Sequence, residues 1–251
     1  MYSHPSSAFP FGIHPIRTID DVERMALFAG LLPFFENPIA GFSIAEHTPE
    51  ELWFQDEDGP WEWKGPLIGR GSLAYGKFLH GKACFVSLEL FPHFLNVRLA
   101  AAPQLSETEE CILQALEAHG SLLSHELKKL CGFTRPHSGR TNPIERVERA
   151  KAPRKRNGHT PSFDTLMARL QMAGRVCIAD FAYKYDREGR RYGWGVARYT
   201  TPSLMYGDEL PPAACAPDAS LRLLTDRLHN VLPDVPIGAV ERLLAVPAKR
   251  L

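Results

Sequence analysis

The chain has 251 residues, room for one large domain or two small ones, and its 44% hydrophobic and 23% charged residues are the balance of an ordinary globular protein. Lys plus Arg and Asp plus Glu both number 29, so net charge alone argues for no nucleic-acid partner. No run approaches the ~18 apolar residues of a membrane span, and the first residues, Met1 to Ser7, lack the charged and apolar regions of a signal peptide; a soluble, cytoplasmic protein without a membrane partner is expected.

The elements of the first region, residues 1–102, mix helix and strand. Thr18 caps a helix over Ile19 to Gly30, with Val22, Met25, Ala26 and Leu27 as its core-facing stripe. Thr48-Pro49-Glu50-Glu51 opens a short helix, with the cap, the first-turn proline and the third-position glutamate in their usual places. Asp56-Glu57-Asp58-Gly59 ends it in an acidic turn. Leu73 to Phe78 and Ala83 to Val86, joined at His80-Gly81, read as a hairpin, and Ser87 caps a helix carrying Leu90, Phe91, Phe94 and Leu95. Helix plus hairpin makes this region α+β, with the makings of a degenerate winged helix.

Residues 103–202 follow the winged-helix order, a fold that probes duplex DNA. Ser106-Glu107-Thr108-Glu109 is a capping box, and the helix after it turns Cys111, Ile112, Ala115 and Leu116 to one face before stopping at Gly120. Leu122-Leu123 is a short extended step. Ser124 caps a second helix with Leu127, Leu130 and Cys131 inward, and Ser162 caps a third with Phe163, Leu166, Met167 and Leu170 at helical spacing. Val176 to Tyr185 and Tyr192 to Thr200 are β-branched and aromatic runs around a turn at Asp186 to Arg191, a long hairpin. The fold class expected is therefore α+β, a winged helix-turn-helix core with room for tandem winged-helix units.

Between the second and third helices, residues 134–160 hold 8 basic side chains against 2 acidic. The first 70 residues hold 11 acidic against 4 basic, so charge is separated along a neutral chain. Arg154, Lys155 and Arg156 in the basic insertion could follow a phosphate backbone, or the insertion is simply a solvated loop. Residues 203–251 are rich in Pro and Ala to Pro217, then helical, with Leu221, Leu224 and Leu228 as a stripe and a second short helix around Val240 to Leu244. No internal repeat is evident in sequence.

Five cysteines form no CxxC pair and sit in apolar patterns, which fits buried thiols in a reducing compartment. The ten histidines show no metal-ligand spacing, and there is no Gly-rich phosphate loop, so neither metal nor cofactor is expected.

Several strings resemble one protein group closely: Trp61-Glu62-Trp63, Leu73-Ala74-Tyr75-Gly76-Lys77-Phe78, Cys84-Phe85-Val86-Ser87, Phe163 to Met172, and Tyr192 to Tyr199 followed by Thr201-Pro202. They are similar to the AlkZ-related proteins, relatives of the AlkZ/YcaQ DNA glycosylases that remove alkylated or crosslinked bases. The resemblance implies winged-helix units, duplex DNA as partner and a place in DNA repair. It also implies a test of catalysis, because those glycosylases carry a Gln-x-Gln or Gln-x-Asp pair that polarises a water. Neither motif occurs in this chain. The nearest pair is Gln55 and Glu57, on the acidic turn, so DNA binding is better supported than base excision.

The candidate DNA-reading side chains are Thr165, Arg169 and Gln171 on the third helix, where Arg can address guanine and Gln adenine. Lys184, Arg187, Arg190 and Arg191 surround the hairpin tip, a natural place for phosphate contacts. Trp61, Trp63 and Trp194 read first as core or inter-domain packing, with stacking on an extruded base as the alternative. Two other functions stay open on the sequence: an active glycosylase with a water-activating pair elsewhere, and a winged helix that docks proteins rather than DNA.

Overall fold

A computed structural model describes residues 15–54, 59–133 and 161–245; the acidic turn and the basic insertion lie outside the described residues. The first helix, α1 (Ile19–Ala29), begins where Thr18 and Asp21 exchange bonds. Asp21 N donates to Thr18 Oγ1 at 3.3 Å and Thr18 N to Asp21 Oδ2 at 2.9 Å, satisfying amides that a first turn leaves without carbonyls. It ends at Gly30, whose φ of +78° is left-handed and whose Cβ, if present, would strike Leu90. Val22, Met25 and Ala26 are buried, but Leu27 is 39% exposed, so the core stripe is narrower than the spacing alone implies.

Then come β1 (Leu31–Pro33), α2 (Ile44–His47), a 3-10 turn at Glu50–Leu52, α3 (Pro60–Gly69), β2 (Leu73–Leu79) and β3 (Lys82–Ser87). The sheet order is β1-β3-β2, antiparallel throughout, which leaves β2 at an edge. Ser87 closes β3 rather than capping the next helix directly; its hydroxyl accepts Leu90 N at 3.4 Å, and α4 (Phe91–Ala100) follows.

The second set is α5 (Glu107–His119), β4 (Leu122–Leu123), α6 (Ser124–Leu130), α7 (Phe163–Met172), β5 (Cys177–Tyr185) and β6 (Arg191–Thr200), with sheet order β4-β6-β5. The capping box at α5 is formed, with Ser106 N donating to Glu109 Oε2 at 2.9 Å. At α6 the cap position is Leu123 and not Ser124 as the sequence reading had it: Leu123 N donates to Glu126 Oε2 at 2.8 Å, and Ser124 is already helical. Ile112, Leu116 and Leu127 are buried as expected. Cys111 and Leu130 are not, since each sits a turn-edge away from the buried line, and Leu130 is 52% exposed. The thiols divide likewise: Cys84 and Cys177 are buried, whereas Cys111 and Cys215 face solvent.

The two sets share one plan. In each, a helix, a short strand, two helices and a hairpin follow in order, and the short strand pairs with the hairpin's second strand. The sequence shows no such repeat because the repeated feature is topology, not residue identity. The result is a mixed α+β molecule with small antiparallel sheets.

Two cores hold it together. The smaller is Ile112, Leu116, Leu122, Leu127, Phe163, Leu166, Met167, Leu170 and Val176. The larger combines the first set and α4 with the C-terminal helices α8 (Pro202–Tyr206), α9 (Pro217–Val231) and α10 (Ile237–Leu244). On α9, Leu224 and Leu228 enter this core, while Leu221 stays 37% exposed. The C-terminal helices therefore close over the first set instead of trailing from the second.

The sets meet through their third helices. α3 packs on β5, α7 packs on β2, and β2 lies beside β5, so each third helix rests on the other set's hairpin. Tyr75 and Phe181 join the hairpins, ring centroids 6.0 Å apart.

Candidate functional site

The junction between α3 and the β5–β6 hairpin is open on one side and forms a cavity of about 380 Å3, the small end of the range for ligand sites. Trp61, Glu62, Lys64, Phe181, Tyr183, Trp194 and Gly195 line it. Helical spacing explains the α3 contribution: Trp61 and Lys64 stand three residues apart on one face, while Trp63 and Leu67 bury themselves on another. Strand alternation explains Phe181 and Tyr183, two residues apart on the same side of β5. Gly195 is required by close approach, because a Cβ there would lie 2.7 Å from the Tyr183 ring.

The walls are aromatic. Trp61 is held from behind by Phe34 at 5.7 Å, Phe35 at 5.9 Å and Trp53 at 5.4 Å between ring centroids. In front it meets Trp194 edge-on at 5.8 Å and 82°. Trp194 itself is 74% exposed, and Trp61 is its ring partner among the described residues. A packed tryptophan on one side and an exposed one on the other make a platform on which a further flat ring can stack.

Lys64 extends between Trp61 and Phe181, its Nζ 5.0 Å and 4.7 Å from the two ring centroids. Among the described residues its ammonium has no hydrogen bond and no carboxylate within ion-pair distance. Burial pushes its pKa down from the ordinary lysine value to about 8, against the opposing charge of Glu62. Glu62 is paired instead with Arg191, whose guanidinium also lies over the Tyr183 ring at 3.7 Å. Burial raises the Tyr183 phenol to about 12, and its hydrogen bond to Glu62 adds to that rise. Glu62 and Arg191 side chains are only 13% and 26% exposed, so this pair is a fixed wall of the cavity rather than a surface contact.

The sequence candidates divide. Of the three tryptophans, Trp61 and Trp194 come together, and Trp63 belongs to the core at 4% exposure. Thr165 and Arg169 are exposed on α7, although Thr165 Oγ1 shares a hydrogen bond with the capping Ser162 at 2.8 Å. Gln171, expected on the exposed face, is 1% exposed. Its Oε1 accepts Lys77 N at 2.9 Å and its Nε2 donates to Met167 O at 3.0 Å, so it seals the edge strand β2.

On the hairpin, Lys184 and Arg187 are exposed and form no ion pair with another described residue, while Arg190 is committed to Asp186 at 3.0 Å and Glu188 at 3.3 Å. Arg191 faces inward to Glu62 instead of outward to solvent. Gln55, Glu57, Arg154, Lys155 and Arg156 lie outside the described residues. Among the described residues no three His, Cys, Asp or Glu side chains converge on a point, and no helix is long and apolar enough to cross a membrane.

Sequence reasoning missed Lys64, Phe181 and Tyr183. The signal was present in Trp61-Glu62-Trp63-Lys64, but it needs a helix to bring positions 61 and 64 together, and Gly65-Pro66 argues against one. A family model described as AlkZ related matches residues 16–245. No curated protein and no solved structure matches the chain.

Proposed function

The chain belongs to the AlkZ-related family, and on that premise we propose that it is a tandem winged-helix protein of DNA repair that binds duplex DNA and receives an unpaired or extruded base in the Trp61–Trp194 cleft. The observation that carries this reading is the cleft itself, an edge-on tryptophan pair whose outer ring is mostly exposed, at the junction of two units of the same topology. An extruded base presents a flat apolar face, and stacking it on an aromatic side chain contributes about 1–3 kcal/mol whatever its identity.

In each set the order of a helix, a short strand, two helices and a hairpin supports the winged-helix reading. Their third helices differ from a free recognition helix, because each is partly covered by the other set's hairpin. Deep major-groove reading by α7 is therefore limited to the exposed Thr165 and Arg169, with Lys184 and Arg187 as phosphate contacts at the hairpin tip. Shape and an unstacked base, rather than a long run of base edges, would supply the selectivity.

Electrophoretic shift with intact duplex, and with duplex carrying one unpaired nucleotide, at two salt concentrations tests the proposal. Binding that favours the unpaired nucleotide and weakens steeply with salt is expected. Binding to neither duplex at low salt overturns it.

A further inference from the structure

Among the cavity's charged side chains, Glu62 is paired with Arg191, and Lys64 is left without a role in stacking. Its position is chemically unusual: an amine held between two aromatic faces, in no ion pair among the described residues, at the wall of an open cavity. It lines the space in which an unpaired nucleotide would sit.

We propose that Lys64 is an amine nucleophile that captures the aldehyde of a ring-opened abasic deoxyribose as an imine. The inference rests on the reading of the chain as a DNA-binding protein and assigns the class of lesion its cleft takes. The Nζ lone pair attacks C1′ of the aldehyde, forming a C–N bond as the carbonyl π pair moves to oxygen. Nitrogen then loses its protons as the oxygen departs as water, leaving a C1′=Nζ double bond. No oxidant or reductant is consumed, and water reverses the step.

Three features of the site suit that chemistry. A protonated amine is no nucleophile, and removing lysine from water is a general way to make the neutral amine available. With a pKa of about 8, about a quarter of Lys64 is neutral at pH 7.5, against about one part in a thousand for an ordinary lysine. An abasic sugar has no base to fill the stack, so the aldehyde carbon can approach between Trp61, Phe181 and Trp194, where a normal nucleotide would be kept at ring distance. The low-dielectric aromatic wall also favours loss of water from the adduct over its return.

Reductive trapping tests the proposal. The full chain is incubated with a duplex carrying one abasic site and sodium cyanoborohydride, whose hydride converts the imine to a stable secondary amine. The fraction of duplex bound is measured in the same samples by native gel. A covalent adduct that maps to Lys64 by peptide mass, and whose yield per bound duplex falls at least about tenfold in Lys64→Arg and in Lys64→Met, is expected. Lys82→Arg, on the far hairpin, should leave the yield intact. The trapping rate should rise with pH and level off near pH 8, where an ordinary lysine would go on rising.

Binding of the abasic duplex without adduct overturns the inference and leaves the DNA-binding reading standing. An adduct on another amine, or a yield unchanged in both Lys64 variants, also overturns it. Absence of binding to any duplex overturns both together.

Discussion

Replacing Gln171, whose amide bonds both Lys77 N and Met167 O, should cost stability rather than DNA affinity. In Gln171→Met the volume is kept while both side-chain hydrogen bonds go. The bond from Gln171 Nε2 to Met167 O shares an acceptor that the helix also uses, so its loss costs about 1 kcal/mol. The bond to Lys77 N matters more. It lies where the β2–β3 register shifts, between Gly76 and Leu79, and removing its acceptor strands a partly buried amide at about 1–2 kcal/mol. The sum is about 2–3 kcal/mol, which for a chain of this size lowers Tm by about 4–12 °C. Thermal unfolding by circular dichroism, with duplex affinity measured in parallel, checks it. A variant that melts with the wild type while losing tenfold or more in duplex affinity would refute the reasoning, because Gln171 would then be reaching DNA and not Lys77.

Other consequences follow from the charged wall of the cleft and from the hairpin. Arg191→Ala strands the Glu62 carboxylate among aromatics and should cost about 2–4 kcal/mol in chemical denaturation, most of it recovered in Arg191→Ala/Glu62→Gln; equal stabilities of single and double variants would show that the pair is not buried in solution. For Lys64, the folded pKa near 8 lies below the unfolded value of 10.5, so between those pH values the unfolded chain binds more protons. Stability should therefore rise as pH rises from about 8 to 10.5, and be lowest and flat with respect to this group below 8. Lys64→Met should remove that slope and stabilise the protein at pH 7 by on the order of 1–2 kcal/mol, the shift being discounted for solvent screening at an open cavity; a slope that survives in the variant would place the titration elsewhere. On the hairpin, Lys184→Ala with Arg187→Ala should flatten the salt dependence of duplex binding by about two phosphate contacts, whereas Arg190→Ala, already tied to Asp186 and Glu188, should change it little. A larger effect from Arg190 would reverse that assignment.

Much of the fold was legible because local chemistry and tertiary packing agree there. The caps at Thr18, Ser106 and Ser162, the hairpin at residues 73–87 and the long hairpin after Gly174 all rest on short-range rules that the structure obeys. α3 was not legible. Gly65 and Pro66 sit inside it, a combination that costs an isolated helix about 4 kcal/mol. Burial of Trp63, Leu67 and Ile68 against the first core outweighs local preference, and no sequence pattern announces that. Missing α3 meant missing the cleft, since the helix is what sets Trp61 and Lys64 on one face. The roles of Gln171 and Arg191 were hidden for a related reason: their partners, Lys77 and Glu62, are far away in sequence and adjacent only because each third helix packs on the other hairpin.

The cleft can be interrogated with a duplex carrying 2-aminopurine as its single unpaired nucleotide, because stacking on an indole quenches that base. Titration of the wild type should quench its emission and give tighter binding than to the fully paired duplex. Trp194 is 74% exposed and supports little of the core, so Trp194→Ala should fold normally. The variant should lose the quenching and about five- to a hundredfold in affinity for the unpaired site, the worth of one base stack, while keeping its affinity for paired duplex. Equal wild-type affinity for the two duplexes, or quenching that persists in Trp194→Ala, would contradict the account.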